Sequence, residues 1–383
     1  MKRIKYFFIL AILLFSISEA LTRICIPEKR ADLGLDRSSD HPYIRKNWVP
    51  GFKTDYQVGI PGQPDPVPFE INEFGFRSGS MKTREKPPGT SRVFFLGEST
   101  TESVTLPEEK TFPFLVESAL NSAKAPARFQ CINAAMSGNL AADSLVTLIY
   151  KVMYYQPDII VVMHAINDLR YGAVPTFDPI NRSDFDRSFY FGGFSEEGGT
   201  LSWFRSVCRK SYLLTFLKRL AVKGSGPSIQ SKWQSMVAKR QHTPVSVVQE
   251  SKALDDFLKN LKEMIFIARG HKIRLILMTE PCIYQENIST EINDKLWMGY
   301  LPKPGINLSN EFLNREMRRF NDAILGLQNE HGAEVIDLEK EIPKTLDYFY
   351  DDVHLTARGA AKAGQVIADY LLNAPKRPVS QVS

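Results

Sequence analysis

Five short apolar runs constrain the fold of this chain more than any other feature. They lie at Arg92–Leu96, Phe129–Asn133, Asp158–Met163, Lys272–Met278 and Ala333–Leu338. Segments with helical spacing alternate with them, at Thr111–Ala123, Asn139–Gln156, Val248–Gly270, Asn310–His331 and from about Thr356 to Leu372. Uniformly apolar strands that alternate with helices are typical of a parallel sheet covered on both faces. The pattern predicts an α/β fold, a three-layer sandwich with about five strands.

The N-terminus has the pattern of an export signal. A basic stretch at residues 2–5 precedes the apolar run Tyr6–Ile17, and Ser18-Glu19-Ala20 places small residues where a signal peptidase cuts. Because a full membrane span needs about 20 apolar residues, we expect residues 1–20 to be a cleaved signal peptide. The alternative is an uncleaved membrane anchor through residues 6–21. Either way, the remainder is expected to be periplasmic or secreted.

The rest of the chain divides by composition. Residues 21–90 form a lead-in rich in Pro and Gly, for which we expect an extended, looped structure. Residues 91–375 contain the predicted strands, and residues 376–383 form a tail. Residues 169–245 interrupt the alternation with 77 residues, of which 12 are aromatic. Since so long a connection in a compact domain usually has a function, we interpret it as a lid or side wall, with an amphipathic helix at Ser211–Lys223.

Charge and motif content exclude several classes of protein. The net charge of +5 falls to +3 without residues 1–20, too little for a nucleic-acid-binding face. Four cysteines occur, none in C-x2-C spacing, and Cys131 lies in an apolar run that predicts a buried thiol. No His pair has i, i+4 spacing, and the sequence lacks the H-E-x-x-H, P-loop, G-x-G-x-x-G and G-x-S-x-G motifs. We therefore expect no metal and no phosphate-binding loop.

Polar residues gather where the predicted strands end. Ligands of a parallel α/β sheet bind beyond the carboxyl ends of its strands. The segments at those ends are Gly97-Glu98-Ser99-Thr100, Ala134-Ala135-Met136-Ser137-Gly138-Asn139 and His164-Ala165-Ile166-Asn167-Asp168, with Asp351-Asp352-Val353-His354 one segment after the last strand. One edge of the sheet thus collects a serine, a glycine turn, an asparagine, a histidine and aspartates.

These residue types suit acyl transfer. A serine hydroxyl such as that of Ser99 needs a base to remove its proton, and His354 can serve as that base. Asp351, three residues earlier, can hold the imidazole in the required tautomer. The backbone N–H groups of Ser99 and Gly138 and the side-chain amide of Asn167 can supply three donors to an oxyanion. Asp352 is an alternative partner for His354, although the spacing favours Asp351.

The ordered set of blocks resembles the SGNH (GDSL-type) hydrolase family. The matching blocks are GEST at 97–100, SGN at 137–139, AIND at 165–168 and DDVHL at 351–355, and the resemblance covers about residues 92–372. It implies a flavodoxin-like α/β/α sandwich. It also implies that Ser99 is the nucleophile, His354 the base and Asp351 its partner, with Ser99, Gly138 and Asn167 forming the oxyanion hole. No metal or organic cofactor is implied.

Two positions depart from the pattern of the family. Glu98 stands where the first block usually has Asp, which bears on the shape of the loop more than on the chemistry. Ala165 stands where the third block usually has Gly, and it would be strained there if the backbone required a positive φ. His164 directly follows a buried strand, and we expect it to be a core histidine rather than part of the site.

The resemblance predicts an exported serine hydrolase that cleaves carboxylic esters through an acyl-enzyme. The substrates would be O-acyl or O-acetyl groups of glycans, or lipid esters. Two alternatives stay open at this level. An envelope polysaccharide O-acyltransferase would use the same triad with a sugar hydroxyl as acceptor, and a glycan-binding module would have the residues without the activity.

Overall fold

The structure, a computed structural model, describes residues 2–25, 43–44, 46–123, 127–180, 211, 213–214, 228–302 and 305–373. The strands are β1 (Lys53–Tyr56), β2 (Val67–Glu70), β3 (Thr90–Gly97), β4 (Arg128–Asn133), β5 (Ile159–Met163), β6 (Arg274–Met278), β7 (Tyr300–Leu301), β8 (Ile306–Asn307) and β9 (Glu334–Ile336). The helices are α1 (Lys2–Cys25), α2 (Ser99–Glu102), α3 (Phe112–Ser122), α4 (Ala141–Tyr150), α5 (Ile166–Gly172), α6 (Ile229–His242), α7 (Leu254–Gly270), α8 (Thr290–Asn293), α9 (Asn310–His331), α10 (Leu338–Glu341) and α11 (Ala357–Asn373). Short 3₁₀ helices lie at Glu108–Lys110 and Val152–Tyr155.

The central sheet has five parallel strands in the order β4-β3-β5-β6-β9. Helices α3 and α11 pack together, as do α4, α7 and α9. The chain moves from β3 to β4 toward one edge of the sheet, and from β4 through β5 and β6 to β9 toward the other edge. Because crossovers between parallel strands are right-handed, this change of direction places the two groups of helices on opposite faces of the sheet. The predicted three-layer α/β sandwich with a parallel sheet is confirmed.

The strands are buried on both faces. Val93, Phe94 and Phe95 in β3 and Ile160 and Val161 in β5 are all fully buried, although neighbouring residues point to opposite faces. An antiparallel sheet with one solvated face would instead alternate apolar and polar residues. The continuous apolar runs therefore reflect the helix layers on both sides.

Two predicted helices differ in extent from the observed ones. The predicted helix Val248–Gly270 begins only at Leu254, because Ser251 has partners elsewhere. Its N–H donates to Glu316 of α9 at 2.9 Å and its hydroxyl to Leu169 O at 2.8 Å, so this residue is not part of the helix. The predicted helix Asn139–Gln156 ends as α4 at Tyr150 and continues as the second 3₁₀ helix.

The lead-in contains ordered structure. Strands β1 and β2 pair antiparallel, and Trp48, Phe52, Phe69 and Ile71 form a small core with Met136 of the main domain. The predicted helix Ser211–Lys223 lies almost entirely outside the described residues, whereas α6 covers the last part of the 169–245 segment. Within the described part of the chain, no helix combines the length and the hydropathy that crossing a membrane requires.

Candidate active site

Three strands end side by side where the polar blocks begin. Gly97 at the end of β3 pairs with Met163 at the end of β5. The loop after β4 bends to the same place, because the N–H of Met136 donates to Gly97 O at 3.2 Å. A Cβ on Gly97 would lie 2.9 Å from Met163 O and 2.4 Å from Thr101 Oγ1, so only glycine fits at this crossing. The strand order therefore brings the first three blocks to one edge of the sheet.

Ser99, His354 and Asp351 form a continuous hydrogen-bonded row. Ser99 is half-buried at the first position of α2, and its Oγ lies 2.8 Å from Nε2 of His354. The other imidazole nitrogen, Nδ1, lies 2.9 Å and 2.8 Å from the two carboxylate oxygens of Asp351. The carboxylate thus fixes Nδ1 as the protonated nitrogen, which leaves Nε2 to accept the serine proton.

The second aspartate has a different role in the turn. Asp352 accepts hydrogen bonds from the Tyr284 hydroxyl at 2.6 Å and from the Trp297 N–H at 2.8 Å. These partners hold the segment between β6 and α9 against the turn. The contacts of its carboxylate are therefore with that segment, whereas Asp351 contacts His354.

The electrostatic surroundings favour a protonated His354. Burial lowers the pKa of this imidazole, but the charge of Asp351 and its hydrogen bond raise it, and Asp352 and Glu280 add to the increase. The net result is a pKa above the ordinary value for histidine. A raised pKa strengthens His354 as a base toward Ser99.

The second and third blocks meet each other beside the row. Gly138 has a φ of +78°, in the left-handed region that glycine adopts without strain. Asn167 is buried in the first turn of α5, and its Nδ2 donates to Asn139 O at 3.2 Å. Two of the three groups predicted for the oxyanion hole, the Gly138 N–H and the Asn167 amide, thus belong to segments that contact each other.

Glu102 and Lys46 both form hydrogen bonds to the glycine turn. The Glu102 carboxylate accepts from the Ser137 N–H at 2.8 Å and also from the Ser137 hydroxyl. The Lys46 ammonium donates to Gly138 O at 2.6 Å. Together they fix the peptide groups on both sides of the turn.

A pair of buried glutamates lies next to the nucleophile. Glu98 and Glu280 are both fully buried, and Glu280 accepts from the Ile166 N–H at 2.8 Å. Burial raises the pKa of Glu98 well above its usual range, and the charge of Glu280 and the contact between the two carboxyls add to the rise.

Ala165 has a φ of −167°, which any residue adopts, so the strain considered for this position is absent.

Several residues outside the blocks behave as expected. His164 is buried, with Nε2 2.7 Å from the Ser144 hydroxyl, and burial lowers its pKa to about 3. Cys131 is a buried free thiol, as is Cys282. The side chains of Cys25 and Cys208 lie outside the described residues.

Aromatic residues that sequence reasoning missed surround the histidine. Trp297 donates its indole N–H to Asp351 at 2.9 Å. The rings of Tyr350 and Trp233 lie 5.6 Å and 5.7 Å from the imidazole of His354, at angles of 3° and 16°. Only Tyr350 was findable from the sequence, as the neighbour of Asp351, because the two tryptophans come from segments with no recognisable block.

The arrangement joins an activated hydroxyl, a base with an oriented imidazole, and a glycine turn. Such a set can attack an acyl carbon and pass a proton to a leaving alkoxide. In the described residues, no group of three or more His, Cys, Asp or Glu side chains is placed to hold a metal ion.

The chain is similar to known acyl hydrolases. A model of the GDSL-like lipase/acylhydrolase family matches residues 95–362, which include all four blocks. No curated protein matches the chain. Among solved structures, a GDSL-like lipase from Bacteroides thetaiotaomicron is similar with a TM-score of 0.40 and 13% identity, over 74% of this chain and 89% of the lipase. An acetylxylan esterase from Geobacillus stearothermophilus is similar with a TM-score of 0.39 and 14% identity, over 72% of this chain and 92% of the esterase.

Proposed function

Because the chain belongs to the GDSL-like lipase/acylhydrolase family and hydrolyses ester bonds, we propose that it does so as a serine hydrolase with Ser99, His354 and Asp351 as its triad. The observation that carries this proposal is the row from Asp351 through His354 to Ser99 Oγ, with an imidazole–hydroxyl distance of 2.8 Å.

The reaction would proceed in two steps through an acyl-enzyme. Ser99 Oγ attacks the ester carbonyl carbon while its proton moves to Nε2 of His354. The imidazolium gives that proton to the leaving alcohol as the ester C–O bond breaks. A water molecule, deprotonated by the same nitrogen, then attacks the acyl-enzyme and releases the carboxylic acid and the free Ser99 hydroxyl.

The negative oxygen that forms in each step needs donors. The N–H groups of Ser99 and Gly138 and the amide of Asn167 are the donors that we assign to it. Support comes from the positive φ of Gly138, from the Asn167–Asn139 contact, and from the two side chains that hold the turn. Loss of one such donor typically lowers kcat by about 10² to 10³.

We propose that the enzyme is extracytoplasmic and that its substrates are O-acyl esters of glycans or lipid esters. The basic and apolar pattern of residues 1–20 supports export, as a cleaved signal or as a tether through residues 6–21. N-terminal sequencing of the protein recovered from outside the cytoplasm tests this assignment. A mature protein that begins near residue 21 supports cleavage, whereas an intact N-terminus in the membrane fraction supports the tether.

Hydrolysis of 4-nitrophenyl esters tests the activity. The chain without residues 1–20 is compared with its Ser99→Ala variant, on acyl groups from acetyl to long chains. We expect turnover only with Ser99 present, and covalent labelling of Ser99 by a fluorophosphonate. A short-chain preference would point to O-acetyl groups of glycans, and a long-chain preference to lipid esters.

Two results would contradict the proposal. Turnover that persists in Ser99→Ala would assign the chemistry to another residue. Labelling of Ser99 without hydrolysis, together with acetyl transfer to an added glycan, would make the protein an acyltransferase.

A further inference from the structure

The aromatic side chain of Trp233 lies against the proposed base. Its ring is 5.7 Å from the His354 imidazole, 5.0 Å from the Tyr350 ring and 6.3 Å from the Trp297 ring. The four rings are near parallel, with angles of 3° to 17° between the measured pairs. Separations of 4.5 to 7 Å are those of stacked aromatic pairs. Trp233 therefore lies within stacking distance of all three other rings, although it is distant from each of them in the sequence.

The helix that carries Trp233 is fixed at both ends. At its start, Ser228 caps α6, and the N–H groups of Ile229 and Gln230 donate to Gln57 O at 2.8 Å and Val58 O at 2.9 Å. At its end, the Arg240 guanidinium donates to Asn310 Oδ1 at 2.6 Å. These contacts join α6 to the lead-in and to the first turn of α9. The ring of Trp233 is thus held in place by elements that do not contain the triad.

Trp233 also belongs to an apolar cluster beside the site. It packs, with Ile229 and Tyr350, against the buried side chains of Val58 and Val67. Contact with these two buried side chains restrains rotation of the Trp233 ring away from the imidazole. A restrained ring against His354 limits rotation of the imidazole out of the plane that contains Asp351 and Ser99.

We propose that Trp233 is a positioning residue that holds the imidazole of His354 in line between Asp351 and Ser99. This inference rests on the proposed serine hydrolase function. Trp233 acts through His354 and need not touch the substrate. The charged groups that face the imidazole are Asp351 and Asp352 on its own turn and Glu280 after β6, and Arg170 of α5 lies 5.5 Å from the Trp297 ring.

Substitutions of Trp233 separate positioning from substrate binding. In Trp233→Leu the ring is lost, and we expect kcat for 4-nitrophenyl acetate to fall about tenfold with KM within twofold of wild type. Trp233→Phe keeps an aromatic ring and should restore most of kcat. Because a fluorophosphonate needs an activated Ser99 but no leaving alcohol of the substrate, its labelling rate should fall in parallel with kcat in Trp233→Leu.

A matched control tests whether the ring or the helix matters. Ile229 lies one turn before Trp233 and packs in the same cluster, and the contacts of its side chain are with the lead-in side. Ile229→Ala weakens the docking of α6 without removing the ring, and we expect its kcat to stay within twofold of wild type. An equal loss in Ile229→Ala and Trp233→Leu would overturn the inference, because helix docking alone would then explain it.

The endpoint of labelling distinguishes slow enzyme from misfolded enzyme. We expect Trp233→Leu to reach the same final stoichiometry as wild type, only more slowly. A reduced stoichiometry with an unchanged rate would mean that part of the protein is misfolded, which contradicts a positioning role. A normal kcat on 4-nitrophenyl acetate with a raised KM on acetylated xylan would mean that Trp233 contacts the substrate, and would also overturn it.

Failure of the proposed function gives a different result. If the wild-type protein neither hydrolyses any ester nor takes up the fluorophosphonate, the triad assignment fails, and the role of Trp233 fails with it. If the wild type is active and Trp233→Leu matches it in both rates, only the inference about Trp233 fails.

Discussion

At the residue scale, the carboxylate of Asp351 receives four donors. They are Nδ1 and the backbone N–H of His354, the N–H of Val353 and the indole N–H of Trp297. Four donors fix the orientation of the carboxylate and therefore that of the imidazole. Asp351 is also the leading cause that raises the pKa of His354 against the effect of burial.

The activity should depend on pH through His354. The base works only when Nε2 is unprotonated, so kcat/KM rises with pH through the pKa of His354, which lies above its ordinary value. In Asp351→Asn this midpoint should move to lower pH, and kcat should fall by about 10³ to 10⁴. Rates on 4-nitrophenyl acetate between pH 5 and 9 measure both effects. An unchanged midpoint in Asp351→Asn would contradict the assignment of Asp351.

The buried Glu98 should make stability depend on pH. Its pKa is raised in the folded protein, so the unfolded chain loses this proton at a lower pH than the native one does. The contribution of protonated Glu98 to the stability of the fold is therefore complete below the pKa of this group in the unfolded chain. It is lost as the pH rises through the pKa of Glu98 in the folded protein. Glu98→Gln is similar in size and shape to the wild-type side chain, but it cannot ionise. We expect the two proteins to unfold at similar temperatures at pH 5, and the variant to unfold at a higher temperature than wild type at pH 8. Thermal unfolding at the two pH values gives the comparison, and a constant difference would contradict it.

At the element scale, α11 packs closely against the turn that carries Asp351 and His354. Tyr348 O accepts from the Thr356 N–H at 2.9 Å and lies against Gly359 of α11. A Cβ on Gly359 would be 2.2 Å from that oxygen. Only glycine fits at the point where α11 packs against the carbonyl group of Tyr348.

Two glycine substitutions in helices should have opposite effects. Gly359→Ala forces the helix away from Tyr348, and we expect a loss of about 1–3 kcal/mol in stability together with reduced hydrolysis. Gly326 lies inside α9 with only Glu330 Oε1 at 3.9 Å from the position of a Cβ. Gly326→Ala should therefore stabilise the protein by about 0.5–1 kcal/mol, because alanine favours the helix. Thermal unfolding of both variants and of the wild type measures these changes in stability. A Gly359→Ala protein as stable as wild type would contradict the close packing of α11 on Tyr348.

Elements were predictable where local sequence and global fold agree. The five core strands contain continuous apolar stretches because two helix layers cover them. Helix α9 is marked at both ends, by the Ser309 cap and by Gly332 with a φ of +58°. The start of α7 was wrong because Ser251 bonds to residues far away in the sequence. The pair β7–β8 has only two residues in each strand, which is too short for any periodic signal.

The candidate site also has a part that could be predicted from the sequence and a part that could not. Ser99, Gly138 and Asn167 stand in short blocks at strand ends, so the parallel sheet predicts that they approach one another. Asp351 and His354 lie one segment after the last strand, on the same side of the sheet. Glu102, Lys46, Trp233 and Trp297 act on those blocks from other parts of the chain. Their roles depend on how the lead-in and the long connections pack, and a single sequence does not specify that packing.

At the scale of the whole molecule, the lead-in is part of the folded unit that supports the nucleophile. Arg77 is buried, and its guanidinium donates to Glu102 O at 2.6 Å and Ser103 O at 2.7 Å, at the end of the helix that begins with Ser99. Burial lowers the pKa of Arg77 to about 10, although the charges of Glu108 and Glu102 oppose this. Trp48 donates its indole N–H to the Glu102 carboxylate at 2.8 Å. Without these side chains, the carbonyl groups after α2 and the Glu102 carboxylate lose buried partners.

A chain that starts at residue 91 should therefore fail to fold, although it contains every block of the site. Each buried polar group left without its partner costs about 1–3 kcal/mol, and the exposed surface of the small core around Trp48 and Phe69 adds to that loss. A chain that starts at residue 43 keeps all of these contacts and should unfold cooperatively and hydrolyse esters. Near-UV circular dichroism, thermal unfolding and 4-nitrophenyl acetate hydrolysis compare the two chains. Cooperative unfolding and full activity of the shorter chain would show that the lead-in only covers a domain that is complete without it.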